Sequence, residues 1–158
     1  MELELRMFGT EEMEEVFKVL PEAMQKRVIN TALRGAASIV RTAARANLRG
    51  NNSVRTGLLV RSISVKLKRY TASGVVWAGV GPDRSVVGTT PEGRRIVPAN
   101  YAHLVERGTR HVPPRPFLRP AVDNNFDPAL AEFTRRARKG MAREIRKLRA
   151  ATSKGGAR

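Results

Sequence analysis

The sequence contains no cysteine. A disulfide framework and a thiolate metal site are therefore excluded. Histidine is almost as scarce: only His103 and His111 occur, with no acidic cluster nearby, so a metal site is not expected. Aromatic residues make up 5% of the chain, too few for the stacking platforms that single-stranded nucleic acid requires. No apolar run approaches the ~20 residues needed to span a bilayer. The opening MELELRMFGTEE is acidic and lacks an apolar h-region, so no signal peptide is expected. No serine sits in a G-x-S-x-G context. GVGPDRS lacks the lysine that a phosphate-cradling loop needs. Asp83, Glu92, Glu106, Asp123 and Asp127 are scattered, whereas a metal-dependent nuclease needs clustered carboxylates. We therefore expect no catalytic residue, no cofactor and no small-molecule substrate.

Positive charge is what the chain has in excess. The net charge over 158 residues is +16, and its distribution is lopsided. Glu2, Glu4, Glu11, Glu12, Glu14, Glu15 and Glu22 place half of the 14 acids in the first 22 residues. From Lys26 to Arg69 every charge is basic, and from Arg135 to Arg158 a single acid, Glu144, stands among ten Lys and Arg. The chain reads as an acidic head on a basic body. Such a field favours polyanions, and it favours copies of the chain meeting acidic end on basic face.

Residue patterns give the elements. Glu2–Phe8 alternates Leu3, Leu5 and Met7 with Glu2, Glu4 and Arg6, the mark of a half-buried strand. Thr10 can cap a helix that Glu11 and Glu12 favour at its positive end, ending near Leu20 before Pro21. A second helix is expected from Pro21 to Leu48, with a stripe of Val28, Ile29, Ala32, Leu33, Ala36, Ala37, Val40, Ala43, Ala44 and Leu48. Its alanines let it lie close to a sheet. Ile63, Val65 and Leu67 alternate with polar residues in one strand. Residues 75–80 form the next, and together they make an antiparallel hairpin. Residues 81–98 are a long loop with a small hairpin, 85–88 against 94–97. Residues 98–108 read as a short helix stopped by Gly108. One long helix follows from Pro116 to about Ala150, with a kink or break near Asp127 because Pro128 does not suit a helix interior.

Two segments stand out as candidate contact surfaces. The first is YAHLVERGTRHVPPRPFLRPA, in which four prolines fall within eight residues. Glu106 sits beside Arg107 and near Arg110 and Arg115, an ion-pair anchor for the corner. Prolines fix φ and lose little entropy on docking, so the corner can serve as a pre-organised contact surface; alternatively it is an internal connector. The second is the basic helix, where Arg135, Arg136, Arg138, Lys139, Arg143, Arg146, Lys147 and Arg149 surround the axis without leaving a neutral side. Such a helix is either a solvated face or a contact for DNA or an acidic partner. No zinc-finger spacing, RRM box or helix-turn-helix accompanies it.

The order of these marks resembles a known family. Thr56-Gly57-Leu58-Leu59 with Arg61-Ser62-Ile63, then Tyr101-Ala102 with Glu106 and Gly108-Thr109, then Pro116-Phe117-Leu118 with Pro120-Ala121, is similar to the small neck proteins of lambda-like long-tailed bacteriophages, the head–tail joining or tail-completion proteins. The likeness runs roughly over residues 28–148. It implies an α+β fold: a small, mostly antiparallel sheet packed by a long helix of the N-terminal half, followed by a long basic C-terminal helix. Residues 1–133 read as one such domain; residues 134–150 are a basic helical extension that departs from the shared core, and residues 151–158 are expected to be a disordered tail. It implies a non-enzymatic virion protein of the neck, assembled in the host cytoplasm, forming a ring of six or twelve copies around the DNA channel. Its partners would be itself and the adjacent connector, tail-terminator and tail-tube proteins, with non-specific contact to DNA and no membrane. The subunit interface would be built from Glu106, Gly108, Thr109, Arg110, Pro113, Pro114, Arg115 and Phe117. DNA or acidic neighbours would meet Arg135, Arg136, Arg138, Lys139, Arg143, Arg146 and Lys147. The competing reading is a non-catalytic nucleic-acid-binding protein without sequence preference.

Overall fold

The computed structural model describes Lys18 and residues 20–50, 57–69, 75–90 and 92–155. The strand expected over Glu2–Phe8, most of the helix expected after Thr10 and the turn at 70–74 lie outside the described residues.

Helix α1 spans Glu22–Gly50. Pro21 stands just outside it, and its carbonyl accepts the N–H groups of Met24 and Gln25 at 2.8 and 3.1 Å. Along α1 the expected stripe is buried at Val28, Ala32, Ala37, Ala44 and Leu48. The stripe serves two apolar clusters in succession. Toward the N-terminal end, Val28 and Ala32 pack with Leu20, Phe133, Ala137 and Met141. Toward the C-terminal end, Ala44 and Leu48 pack with Leu59, Val60, Ile63, Ala102, Phe117 and Ala121.

The next element was not legible as a helix. Leu58–Ser62 forms one helical turn, α2, entered through Gly57 at φ 67°. All of its residues except Arg61 are buried, and the Ser62 hydroxyl donates to the Leu59 carbonyl at 2.7 Å, so its burial leaves no orphaned donor. Strands β1 (Ile63–Arg69) and β2 (Val76–Pro82) then pair antiparallel, from Ile63↔Pro82 to Arg69↔Val76. The expected hairpin is present and α1 packs across it. Arg45 of α1 donates to the Ile63 carbonyl at 2.7 Å and fixes where the hairpin begins.

The small hairpin in the long loop is shorter than expected and shifted. Only Gly88–Thr89 (β3) pairs with Arg95–Ile96 (β4). Residues 83–86 are taken up by a turn in which Val86 N–H donates to the Asp83 carbonyl. A 3-10 turn at Pro98–Asn100 leads into helix α3, Ala102–Arg107, which stops at Gly108.

The long helix expected from Pro116 is two helices: α4, Leu118–Asp123, and α5, Phe126–Gly155. The break falls at Asn124–Asn125, two residues before the expected one. The Asn125 carbonyl accepts Ala129 N–H, and its side-chain amide donates to the Ala121 carbonyl. Pro128 occupies the first turn of α5, where its missing N–H costs nothing. Helix α5 runs without interruption past residue 133 and on beyond Ala150 to Gly155. It crosses α1 closely: a Cβ on Gly140 would lie 3.2 Å from Val28, and the side chain of Arg136 lies across Gly35. The architecture is α+β, a two-stranded antiparallel hairpin and two long helices.

The proline corner and the basic helix as candidate contact surfaces

The corner begins at Gly108, whose φ of 77° and ψ of −179° suit glycine alone. Thr109 then folds the chain into a tight loop. Its N–H donates to the Val112 carbonyl at 2.8 Å, and its hydroxyl accepts the N–H groups of His111 and Val112 at 3.2 and 3.1 Å. Farther on, Arg115 N–H donates to the Val105 carbonyl at 2.9 Å. The segment from Thr109 to Pro116 is exposed at every residue. Its two ends are clamped and its outer side is open.

Glu106 holds the far end. One carboxylate oxygen accepts the N–H groups of Phe117 and Leu118 at 2.8 and 2.9 Å, and the other accepts that of Arg119 at 2.9 Å. Sequence reasoning reads Glu106 as an ion-pair partner of nearby arginines. The structure makes it the N-terminal cap of α4, meeting the positive end of that helix. Phe117 follows at once and is fully buried. The corner is thus tied inward at Glu106 and Phe117 and faces outward at Arg110, Pro113, Pro114 and Arg115.

The basic helix differs from its sequence reading. Its charges do not surround it: Phe133, Ala137, Met141 and Glu144 are buried on one side. At least four of the seven candidate contacts have an acid partner among the described residues. Arg135 forks onto Glu132 at 2.7 and 2.8 Å, and Arg136 Nε reaches the same carboxylate at 2.5 Å. Lys147 Nζ lies 3.1 Å and Arg143 Nε 3.4 Å from one oxygen of Glu144, while Arg27 of α1 faces the other at 3.7 Å. Arg138, Lys139, Arg146 and Arg149 are exposed.

Glu144 is the site residue that sequence reasoning missed. Its side chain is fully enclosed, and its bond from Lys147, aided by Arg27 and Arg143, holds its pKa below the usual carboxylate range against the opposing effect of burial. The available signal was its isolation, one acid among ten cations. A single buried carboxylate shared by cations of two helices fixes how α5 seats on α1.

Two half-buried carboxylates give an acid-sensitive signature. Hydrogen bonds from the Ser85 backbone N–H, Lys66 and the Ser85 hydroxyl push Asp83 down from 3.8 to about 2. Bonds from Arg135 and then Arg136 push Glu132 from 4.5 to about 2. Both pKa values are depressed in the folded state, so their stabilisation is present above the unfolded values and lost as pH falls through about 2. The urea midpoint is expected to drop between pH 4.5 and 2, and Glu132→Gln should flatten that drop. A parent midpoint that stays constant down to pH 2 would contradict these assignments.

Among the described residues, no three His, Cys, Asp or Glu side chains group to hold a metal ion. Glu106 caps α4, while Asp123 and Asp127 are exposed. No described helix is long and apolar enough to cross a membrane. Residues 11–108 match the HK97-gp10_like family model, described as Bacteriophage HK97-gp10, putative tail-component. The match takes in α1, the hairpin and α3, and it ends at Gly108, so the exposed corner and both C-terminal helices lie beyond it. No curated protein and no solved structure matches significantly.

Proposed function

The chain belongs to the HK97-gp10-like family of bacteriophage tail components, and from that premise we propose that it is a structural subunit of the virion neck, joining head to tail and completing the tail as a ring around the DNA channel. The observation that carries this reading is the corner from Thr109 to Pro116, exposed at every residue while both ends are fixed by backbone hydrogen bonds. A subunit that holds its neighbour at a set angle needs a stiff contact edge, and proline-locked backbone loses little freedom on docking. Like subunits meeting through unlike surfaces close into a ring when the rotation allows. The adjoining parts are the connector, tail-terminator and tail-tube proteins.

The test is complementation of a phage that lacks this gene. Pro113→Gly with Pro114→Gly and Arg115→Ala leaves the buried clusters intact. It is expected to cut infectious titre by at least about 100-fold, with filled heads and tails accumulating unjoined in electron micrographs. Wild-type titre from the triple variant would overturn the role of the corner.

Channel DNA is a second surface partner in this reading, supported by the exposed Lys139, Arg146 and Arg149 on α5. Truncating α5 would not test it, because Phe133, Ala137 and Met141 belong to a buried cluster. Replacing Lys139, Arg146 and Arg149 by glutamate keeps that cluster. The triple variant should weaken salt-sensitive DNA binding by about 10-fold or more while preserving the melting curve. Undiminished binding would remove this face from the reading.

A further inference from the structure

Helix α1 gathers positive charge along one side. Arg27, Arg34, Arg41 and Arg45 are spaced seven, seven and four residues apart, so they leave the helix on one face. From Arg27 to Arg45 the row is about 27 Å long at 1.5 Å per residue. Beyond Lys26 every cation of α1 is an arginine, the side chain whose planar fork fits a phosphate. Beside the row stand Thr31, Ser38 and Thr42, whose hydroxyls donate back to helix carbonyls at 2.8, 2.8 and 2.9 Å. Protein interfaces are built around a buried aromatic or aliphatic anchor, and these flanking positions supply none.

The row is short of counter-charge where it is most crowded. Arg41 and Arg45 are half-buried and four residues apart, a like-charge pair that repels. The Nε of each is enclosed and has no hydrogen-bond partner among the described residues. Arg45 Nη2 is pinned to the Ile63 carbonyl at 2.7 Å, so that guanidinium is held in place before any ligand arrives. Among the described residues, neither Arg34 nor Arg41 pairs with a carboxylate. At the other end, Arg27 lies 3.7 Å from the enclosed Glu144, which Arg143 and Lys147 of α5 also face. One acid among three cations leaves positive charge over, and it carries the row across onto α5.

We propose that Arg27, Arg34, Arg41 and Arg45 form a track for the phosphate backbone of duplex DNA, continuing through Arg143 onto α5. This rests on the reading of channel DNA as a partner, and it moves the main contact from α5 to α1. Over about 27 Å a duplex carries about 16 phosphates, so a straight row of cations meets acceptors along its whole length. A duplex fits better than a single strand, since the row offers no aromatic ring for bases to stack on. Bound phosphates also screen Arg41 from Arg45. Such a contact is blind to sequence and slackens as salt rises, which suits a surface past which a long DNA must slide.

The test is the anisotropy of a fluorescent duplex titrated with the full chain at several salt concentrations. Arg34→Gln with Arg41→Gln spares Arg45, which positions the hairpin, and Arg27, which faces Glu144. Affinity is expected to fall at least about 10-fold at ~100 mM salt, and the slope of log K against log salt to lessen by about 2, with the melting curve unmoved. Arg34→Gln alone, on an exposed side chain, should lessen the slope by about 1, and it carries the test if the pair disturbs the fold. Arg84→Gln with Arg94→Gln removes the same charge from an exposed loop and should leave affinity within about twofold. Unchanged affinity and slope in the α1 variants would overturn the proposal. An equal loss in the loop pair would overturn it too, reducing the effect to net charge. Loss confined to the Lys139, Arg146 and Arg149 replacements would overturn the α1 track and leave α5 as the DNA face, whereas loss confined to the α1 variants would support the track and remove α5. A parent that ignores duplex DNA but is retained by polyglutamate would overturn both and assign the row to an acidic protein.

Discussion

Truncating Phe117 to alanine is expected to lower the unfolding free energy by about 4 kcal/mol. Phe117 has no exposed surface and is the largest fully buried side chain among the described residues. It belongs to the cluster that joins Ala44 and Leu48 of α1, Leu59 and Val60 of α2, Ile63 of β1 and Ala102 of α3. Asn47 of α1 also donates to the Phe117 carbonyl at 3.1 Å, which fixes the backbone behind the ring. With main chain held in place on α1, the cluster cannot collapse freely into the space left by the ring. At 158 residues the loss corresponds to roughly 10 °C in Tm. Urea melts and calorimetry check it, with Phe117→Leu, expected to cost under about 1.5 kcal/mol, as the volume control. A Phe117→Ala protein that melts within a degree of the parent would show that the ring is not a keystone.

Replacing Gly108 by alanine is expected to cost about 3 kcal/mol and to displace the corner. Two independent effects add. The backbone at φ 77° and ψ −179° is one that a side chain strains. A Cβ there would also lie 2.7 Å from the Pro114 nitrogen and 2.8 Å from the Val112 carbonyl, both main-chain atoms that cannot swing aside. The corner must therefore open, breaking the Thr109-to-Val112 bond. Glu106 keeps α4 capped from its own helix, so the damage stays local. Under the proposed neck role, the combined signature is a moderate fall in stability with a disproportionate loss of infectious titre. Wild-type stability together with wild-type titre would contradict the strain argument and the role of the corner at once.

Long periodic signals were legible, and contacts made across the fold were not. The stripe on α1 placed that helix within two residues at each end, because ten apolar positions at helical spacing leave little choice. The hairpin followed from strict alternation in Ile63, Val65 and Leu67. Leu58–Ser62 was not legible as a helix, because a short apolar run suits a strand or a buried turn equally and only tertiary burial decides. The break before α5 was anticipated from Pro128 but misplaced by two residues, since proline tolerates any position in a first turn and so marks a helix start only loosely. Glu106 was singled out for the wrong chemistry. Neighbouring arginines are visible in a sequence, whereas amide donors 11 to 13 residues away become its partners only once the corner has folded. The apolar spacing of Phe133, Ala137, Met141, Ile145 and Leu148 marks the buried side of α5, whereas the enclosure of Glu144 depends on α1 lying alongside, and no local pattern reports that crossing.

The two apolar clusters share one unbroken helix, and this makes α1 a crossbeam. Its N-terminal half is seated on α5 and its C-terminal half under the hairpin, with no proline and no break in the helix between them. Bending one half of the molecule against the other would require severing consecutive hydrogen bonds inside that helix. Force applied at the far end of α5 therefore reaches the sheet as displacement of a stiff lever, and little of it is dissipated on the way.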